Sequence, residues 1–131
     1  MADISWFWLA QPPATALHPA RPQDNRFNGS LPASEHWHKL HIMRVQNNQF
    51  SGEIPDALFD LRLLTTLDIS NNNISGTLSE RFYDLQYLKT AYFSNNSLSG
   101  SLPKPLFHLR QLAHLDLSLN MLEGSIPASI G

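Results

Sequence analysis

The sequence predicts an α/β-type repeat solenoid, in which short strands from successive coils line up in one parallel sheet. Three observations carry this. Asn48, Asn72, Asn96 and Asn120 recur every 24 residues, and Asn25 sits 23 before the first of them. Ahead of each stands a pair of apolar residues two positions apart: Met43 and Val45, Leu67 and Ile69, Ala91 and Phe93, Leu115 and Leu117. Behind each comes a glycine, at Gly52, Gly76, Gly100 and Gly124, followed by Pro55, Pro103 and Pro127 in every copy but the second.

Each element of the frame has a physical reason. A spacing of two puts both apolar side chains on one face of a strand, so Leu67 and Ile69 point inward while Thr66, Asp68 and Ser70 point outward. An inward asparagine offers amide donors and a carbonyl acceptor to the turn that ends the strand. The column Asn48, Asn72, Asn96 and Asn120 therefore predicts a structural ladder of hydrogen bonds. The glycine suits a corner with positive φ or a close backbone approach. The proline suits an extended turn that needs no N–H at that point. Leu58, Leu61 and Leu64, with Phe82, Leu85 and Leu88 and then Leu106, Leu109 and Leu112, are expected to close the rear of each coil. One coil cannot bury its own apolar edge, so the stack gains stability only as neighbours cover one another.

The frame LxxLxxLxLxxNxLxGxIP resembles the plant-specific class of leucine-rich repeats, found in receptor-like kinases, receptor-like proteins and polygalacturonase inhibitors. LRLLTTLDISNNNISGTL at 61–78 and LRQLAHLDLSLNMLEGSIP at 109–127 carry the resemblance, which covers residues 37–131 and takes in NRFNGSLP at 25–32 as the tail of a weaker repeat. It implies a right-handed leucine-rich-repeat superhelix with a concave parallel β-sheet, a mostly irregular or 3₁₀ convex side, and a short second strand in each coil. Residues 1–24 read as a degenerate N-terminal segment, with Leu17, Ala20 and Pro22 at aliphatic positions. Residues 25–131 read as the solenoid, about four full 24-residue repeats plus partial ones at both ends. Several features depart from the family pattern. Without cysteine, the cysteine-paired cap with which family ectodomains usually begin cannot form. One residue is missing between Pro32 and Leu40, Ser79 stands where proline is expected, and the sequence stops in mid-repeat at Ile130-Gly131. These departures suggest a truncated gene product, a diverged relative or a piece of a longer receptor.

The 131 residues are 42% hydrophobic and 15% charged, within the range of one globular domain, and the formal net charge of -2 gives no footprint for a nucleic acid or an anionic membrane. No apolar run approaches the roughly 20 residues that span a bilayer. The opening MADISWFWLAQPPATA has an apolar patch, but Asp3 stands where a secretory signal carries positive charge, so it makes no convincing signal peptide. Zero cysteines exclude disulfides and thiolate metal sites. Asn28, Asn73 and Asn95 head N-x-S/T sequons, possible N-glycosylation sites that fit a secreted ancestor. The expected location is extracellular, or at the plasma membrane through a longer parent protein.

On an arc of this kind the outward strand positions form the recognition face. The candidate ligand-binding residues there are Arg44, Gln46, Asp68, Tyr92, His114 and Asp116. Arg44 and Tyr92 lead, since both are types enriched at binding hot spots. Asp68 and Asp116 stand in LDIS and LDLS, wording common in the family, which favours a structural role. His36, His38 and His41 raise a metal site, but with no cysteine and only Glu35 as a nearby carboxylate they read as incidental loop histidines. No metal or cofactor is expected. Trp37 occupies the slot of Leu61 and Leu85 and reads as core. The motifs GxSxG, HExxH, GxGxxG and the P-loop are absent. Asp68 and Asp116, two strands apart, are separated by about 10 Å, outside the range for inverting glycosidases. The sequence therefore reads as a non-enzymatic, protein- or peptide-binding module, a segment of a plant receptor-like kinase or receptor-like protein ectodomain in signalling or defence. Its expected partner is a protein or peptide ligand or a co-receptor. The alternatives are an inhibitor of a secreted cell-wall-degrading enzyme, similar to polygalacturonase inhibitors, and a truncated remnant without independent function.

Overall fold

The computed structural model describes residues 16–17, 28–31, 33 and 37–124. In chain order the strands are β1 (Ala16–Leu17), β2 (Asn28–Ser30), β3 (Ile42–Arg44), β4 (Gln49–Gly52), β5 (Thr66–Asp68), β6 (Asn73–Thr77), β7 (Thr90–Tyr92), β8 (Ser97–Ser101), β9 (His114–Asp116) and β10 (Met121–Glu123). The odd-numbered strands form a main parallel sheet and the even-numbered strands a second one. Among the described residues the short 3₁₀ segments η1 (Asp56–Asp60), η2 (Glu80–Asp84) and η3 (Lys104–His108) close the third side of the coils. The chain is a solenoid of stacked coils. Residues ahead of 25 contribute β1, whose Ala16 and Leu17 pair with Ile42 and Met43.

From β3 to β9 each residue of the main sheet pairs with the one 24 further on, as Ile42 with Thr66 and Thr66 with Thr90, whereas the β1 residues pair 26 further on. In the second sheet the partners from β4 to β10 are 22 apart, as Ser51 with Asn73 and Ser75 with Ser97, and those of β2 and β4 are 21 apart. The coils therefore slip by two residues from one sheet to the other. Gly76 shows why glycine stands in the second sheet. It holds φ 84°, and a Cβ there would lie 2.6 Å from Glu53 Cγ of the preceding coil.

The core runs through the stack between the two sheets and the 3₁₀ side. Met43, Val45, Leu67, Ile69, Ala91 and Phe93 of the apolar pairs are fully buried, as are Leu58, Leu64, Phe82, Leu85, Leu88 and Leu106 behind them. At about 1.5–3 kcal/mol for each large side chain taken from water, this continuous column is the main source of stability. Aromatic rings bridge the coils: Phe59 meets Phe82 edge-on at 4.8 Å, and Phe82 lies 5.4 Å from Phe93. Phe59 falls outside the apolar frame yet is fully buried, and Arg81 lies 5.7 Å above its ring. Trp37 is buried as well.

Ser79, the departure from proline, has a local explanation. Pro55 and Pro103 precede η1 and η3 with no side-chain cap, whereas the Ser79 hydroxyl accepts from Arg81 N at 3.0 Å and caps η2. Serine thus replaces a preset φ with a capping bond.

Candidate recognition surface

The register of the main sheet brings four side chains into one row. Arg44 pairs with Asp68, Asp68 with Tyr92, and Tyr92 with Asp116. Neighbours in such a row are about 4.8 Å apart, so the row crosses four coils as a continuous strip. Beside it runs Ile42, Thr66, Thr90 and His114. Arg44 and His114 are exposed, Tyr92 is 38% exposed, and Asp68 and Asp116 are half-buried.

The two acids are held by their own turns. Asp68 Oδ1 accepts from Ser70 N at 3.1 Å and from the Ser70 hydroxyl at 2.6 Å. Asp116 Oδ1 accepts from Ser118 N at 3.0 Å and from its hydroxyl at 2.7 Å. The Ser118 hydroxyl, and then its backbone N–H, hold the Asp116 carboxyl below its ordinary range. Ser70, read from its position as an outward residue, is buried in this local bond. Arg44 makes no ion pair with the neighbouring Asp68, and the ion pairs among the described residues both belong to Arg81. In this row, therefore, Arg44 and Tyr92 keep their polar ends available. The Gln46 side-chain carbonyl is buried without a hydrogen-bond partner.

Beneath the face lies the asparagine column. Asn72 Nδ2 donates to Ile69 O at 3.0 Å and Ser70 O at 3.1 Å in its own coil, and to Val45 O at 3.1 Å in the coil before. Its Oδ1 accepts from Phe50 N at 3.0 Å. Asn96 and Asn120 repeat the pattern, accepting from Ile74 N and Leu98 N, and Asn48 donates to Val45 O and Gln46 O. The amides of Asn72, Asn96 and Asn120 thus join the turn that ends one strand to the turn that ends the previous one.

A second column was not anticipated from the sequence. Asn95 Nδ2 donates to Asn71 Oδ1 at 2.9 Å, and Asn71 Nδ2 to Asn47 Oδ1 at 2.8 Å, all three exposed and with φ between 55° and 61°. The signal was present as a second 24-residue asparagine spacing, and asparagine is among the few residues that tolerate the left-handed region.

Of the sequon asparagines, Asn73 opens β6 and is exposed, Asn95 belongs to the second column, and Asn28 opens β2 with its side chain outside the described residues. His38 and His41 are exposed on the approach to β3, and His36 lies outside the described residues. Among the described residues no group of three His, Cys, Asp or Glu side chains is placed to hold a metal, and no helix is long and apolar enough to cross a membrane. An open groove lined by Glu80, Arg81, Tyr83, Asp84, Pro105 and His108 lies on the 3₁₀ side, away from the row.

Leucine rich repeat family profiles match residues 62–122 and 39–61. A chain of the BIR3–SERK2 complex from Arabidopsis thaliana superposes with a TM-score of 0.77 and 33% identity over 80% of this chain. The ectodomain of the Arabidopsis receptor kinase HAESA, solved with an extended IDA peptide hormone ligand, gives a TM-score of 0.77 and 37% identity over 81%. This chain is a plant-type leucine-rich-repeat protein. The plant peptide hormone receptor RGFR1, solved with RGF2, is similar at a TM-score of 0.78 and 36% identity over 81% of this chain. The leucine-rich-repeat protein described here spans 57% of the first of these chains, 18% of HAESA and 17% of RGFR1. No curated protein sequence matches it. Its main sheet is the concave sheet of the repeat family, and the 3₁₀ segments form the convex side.

Proposed function

We propose that the chain is a protein- or peptide-binding module, part of a plant receptor-like kinase or receptor-like protein ectodomain in signalling or defence, that recognises its partner through the concave face. The observation that carries this reading is the row Arg44, Asp68, Tyr92 and Asp116. Its aspartates are occupied by Ser70 and Ser118, while its arginine and tyrosine stand open. Arginine supplies a fixed fork of donors and tyrosine a rigid amphipathic ring, the combination that anchors binding hot spots. Gln46 and His114 flank the row, and the exposed His114 extends the contact, whereas the Gln46 carbonyl is buried. The similar chains solved with the IDA peptide hormone, with RGF2 and in the BIR3–SERK2 complex support a peptide or a second protein such as a co-receptor as the partner class. The face binds rather than catalyses: its two carboxylates serve local turns. An extracellular location, or one at the plasma membrane through a longer parent protein, follows from the same reading, and the exposed Asn73 amide suits an attached glycan.

The test is a peptide-display selection on the immobilised chain, followed by titration of the selected peptides. Arg44→Ala and Tyr92→Ala are expected to weaken binding by about 2 kcal/mol or more, the scale of an anchor residue. Lys104→Ala, on the convex side, leaves it unchanged. If Lys104→Ala weakens binding and the two concave variants do not, the face is wrongly assigned.

A further inference from the structure

Four turns of one geometry stack ahead of the concave strands. Leu40 N donates to Trp37 O at 2.8 Å, Leu64 N to Leu61 O and Leu88 N to Leu85 O at 3.1 Å, and Leu112 N to Leu109 O at 3.3 Å. Each turn holds two residues outward: His38 and Lys39, Arg62 and Leu63, Gln86 and Tyr87, Arg110 and Gln111, all exposed. The backbones leaving the turns are locked in step. Thr65 N donates to His41 O, Lys89 N to Thr65 O and Ala113 N to Lys89 O. The turns thus form one ridge along the edge of the concave sheet, with neighbouring turns about 4.8 Å apart.

The ridge has a distinct chemistry. Residues 37–41, 61–65, 85–89 and 109–113 contain no aspartate or glutamate, and they contribute Lys39, Arg62, Lys89 and Arg110. None of these four cations takes part in the ion pairs of the described residues. The carboxylates that immediately precede two of the turns, Asp60 and Asp84, face Arg81 instead, at 2.8 Å and 3.1 Å. Among the cations, Leu63 and Tyr87 occupy the same place in adjacent turns, 39% and 49% exposed. A single exposed apolar side chain is ordinary, but an adjacent pair framed by unpaired cations resembles the apolar centre and charged rim of an interface.

We propose that this ridge docks an acidic segment of a protein partner, one that sets apolar or aromatic side chains between its carboxylates. The cations attract and orient the segment, and Leu63 and Tyr87 are covered by its apolar groups. A nucleic acid or an anionic membrane fits less well. Asp56 and Glu80 on the convex side and the net charge of -2 repel an extended polyanion, and two of the ridge's exposed side chains are apolar. The ridge is separate from the concave row, so the two readings fail independently.

The experiment uses the full chain and a fluorescein-labelled peptide in which pairs of glutamates alternate with phenylalanine, read by anisotropy. Arg62→Glu/Lys89→Glu/Arg110→Glu is expected to weaken binding by about tenfold or more, and Leu63→Ser/Tyr87→Ser by about threefold. Added salt weakens the wild-type complex, and Tyr92→Ala leaves it unchanged. The milder Arg62→Ala/Arg110→Ala variant, whose melt should match wild type, gives a loss in the same direction. The proposal is overturned if wild type does not bind the peptide or if the ridge variants bind it as wild type does. It is also overturned if Tyr92→Ala costs as much as the ridge variants. Binding of oligothymidylate or phosphatidylserine vesicles as tight as that of the peptide would overturn it in favour of a polyanion site.

Discussion

The side-chain amide of Asn95 donates to the side-chain carbonyl of Asn71 across adjacent coils at 2.9 Å. Both residues hold left-handed backbone, φ 55° and 57°, and Asn47 continues the line at 61°. Leu119 takes the fourth place with φ 55° and is 74% exposed. A branched apolar side chain suits that conformation less well than asparagine and offers Asn95 no partner.

Leu119→Asn is therefore expected to stabilise the protein by about 1 kcal/mol, through relief of backbone strain and one further hydrogen bond to Asn95. Scanning calorimetry against Leu119→Ala separates the added amide from the loss of exposed apolar surface. A melting temperature at or below that of Leu119→Ala would contradict the column.

Asn72→Ala removes donors to three carbonyls and the acceptor for Phe50 N. The expected loss is about 1–3 kcal/mol, the cost of leaving such groups unsatisfied. A denaturant midpoint equal to that of wild type would show that the amide does not join the two coils.

What the sequence made legible follows from how often each signal repeats. The apolar pairs recur in register, so a single coil defines the inward face of the main sheet and its row across β3, β5, β7 and β9. No spacing marks Phe59 as core, because the equivalent place in the next coil holds Tyr83, which is 48% exposed. Its burial depends on Phe82 and Arg81 in the next coil, a contact between coils that no spacing encodes. The Asn47, Asn71 and Asn95 column had the right spacing, but its function depends on a positive φ that emerges only once the turn is built. At the proposed recognition surface, the LDIS and LDLS wording points to a structural use of Asp68 and Asp116. That Ser70 and Ser118 bind their carboxylates is a feature of local geometry. Which residues remain open depends on this internal pairing, so it could not be read from residue type alone.

Phe82→Ala should cost about 3–5 kcal/mol, since the ring is fully buried between Phe59 and Phe93 and joins successive coils. Phe82→Leu, closer in volume, should cost less. Equal melts for the two variants would place the ring outside the packed core.

Ser118→Ala should raise the titration midpoint of Asp116 towards the ordinary aspartate value, because both hydroxyl and backbone of Ser118 hold that carboxyl low. The sign follows from linkage. A carboxyl depressed in the folded state stabilises at pH above its unfolded value, and that contribution is lost as pH falls through the lowered folded value, below about pH 4. Carboxyl NMR shifts recorded through an acid titration report the midpoint directly, and an unchanged midpoint would remove Ser118 as the cause.

The central claim is that recognition takes place on the concave row, and hydrogen exchange by mass spectrometry with and without a display-selected peptide locates the contact most directly. Protection should concentrate at 42–46, 66–70, 90–94 and 114–118, the strands and turns around Arg44, Asp68, Tyr92 and Asp116. Protection confined to 56–60, 80–84 and 104–108, with the concave strands exchanging as in the free protein, would place recognition on the convex side and contradict the account.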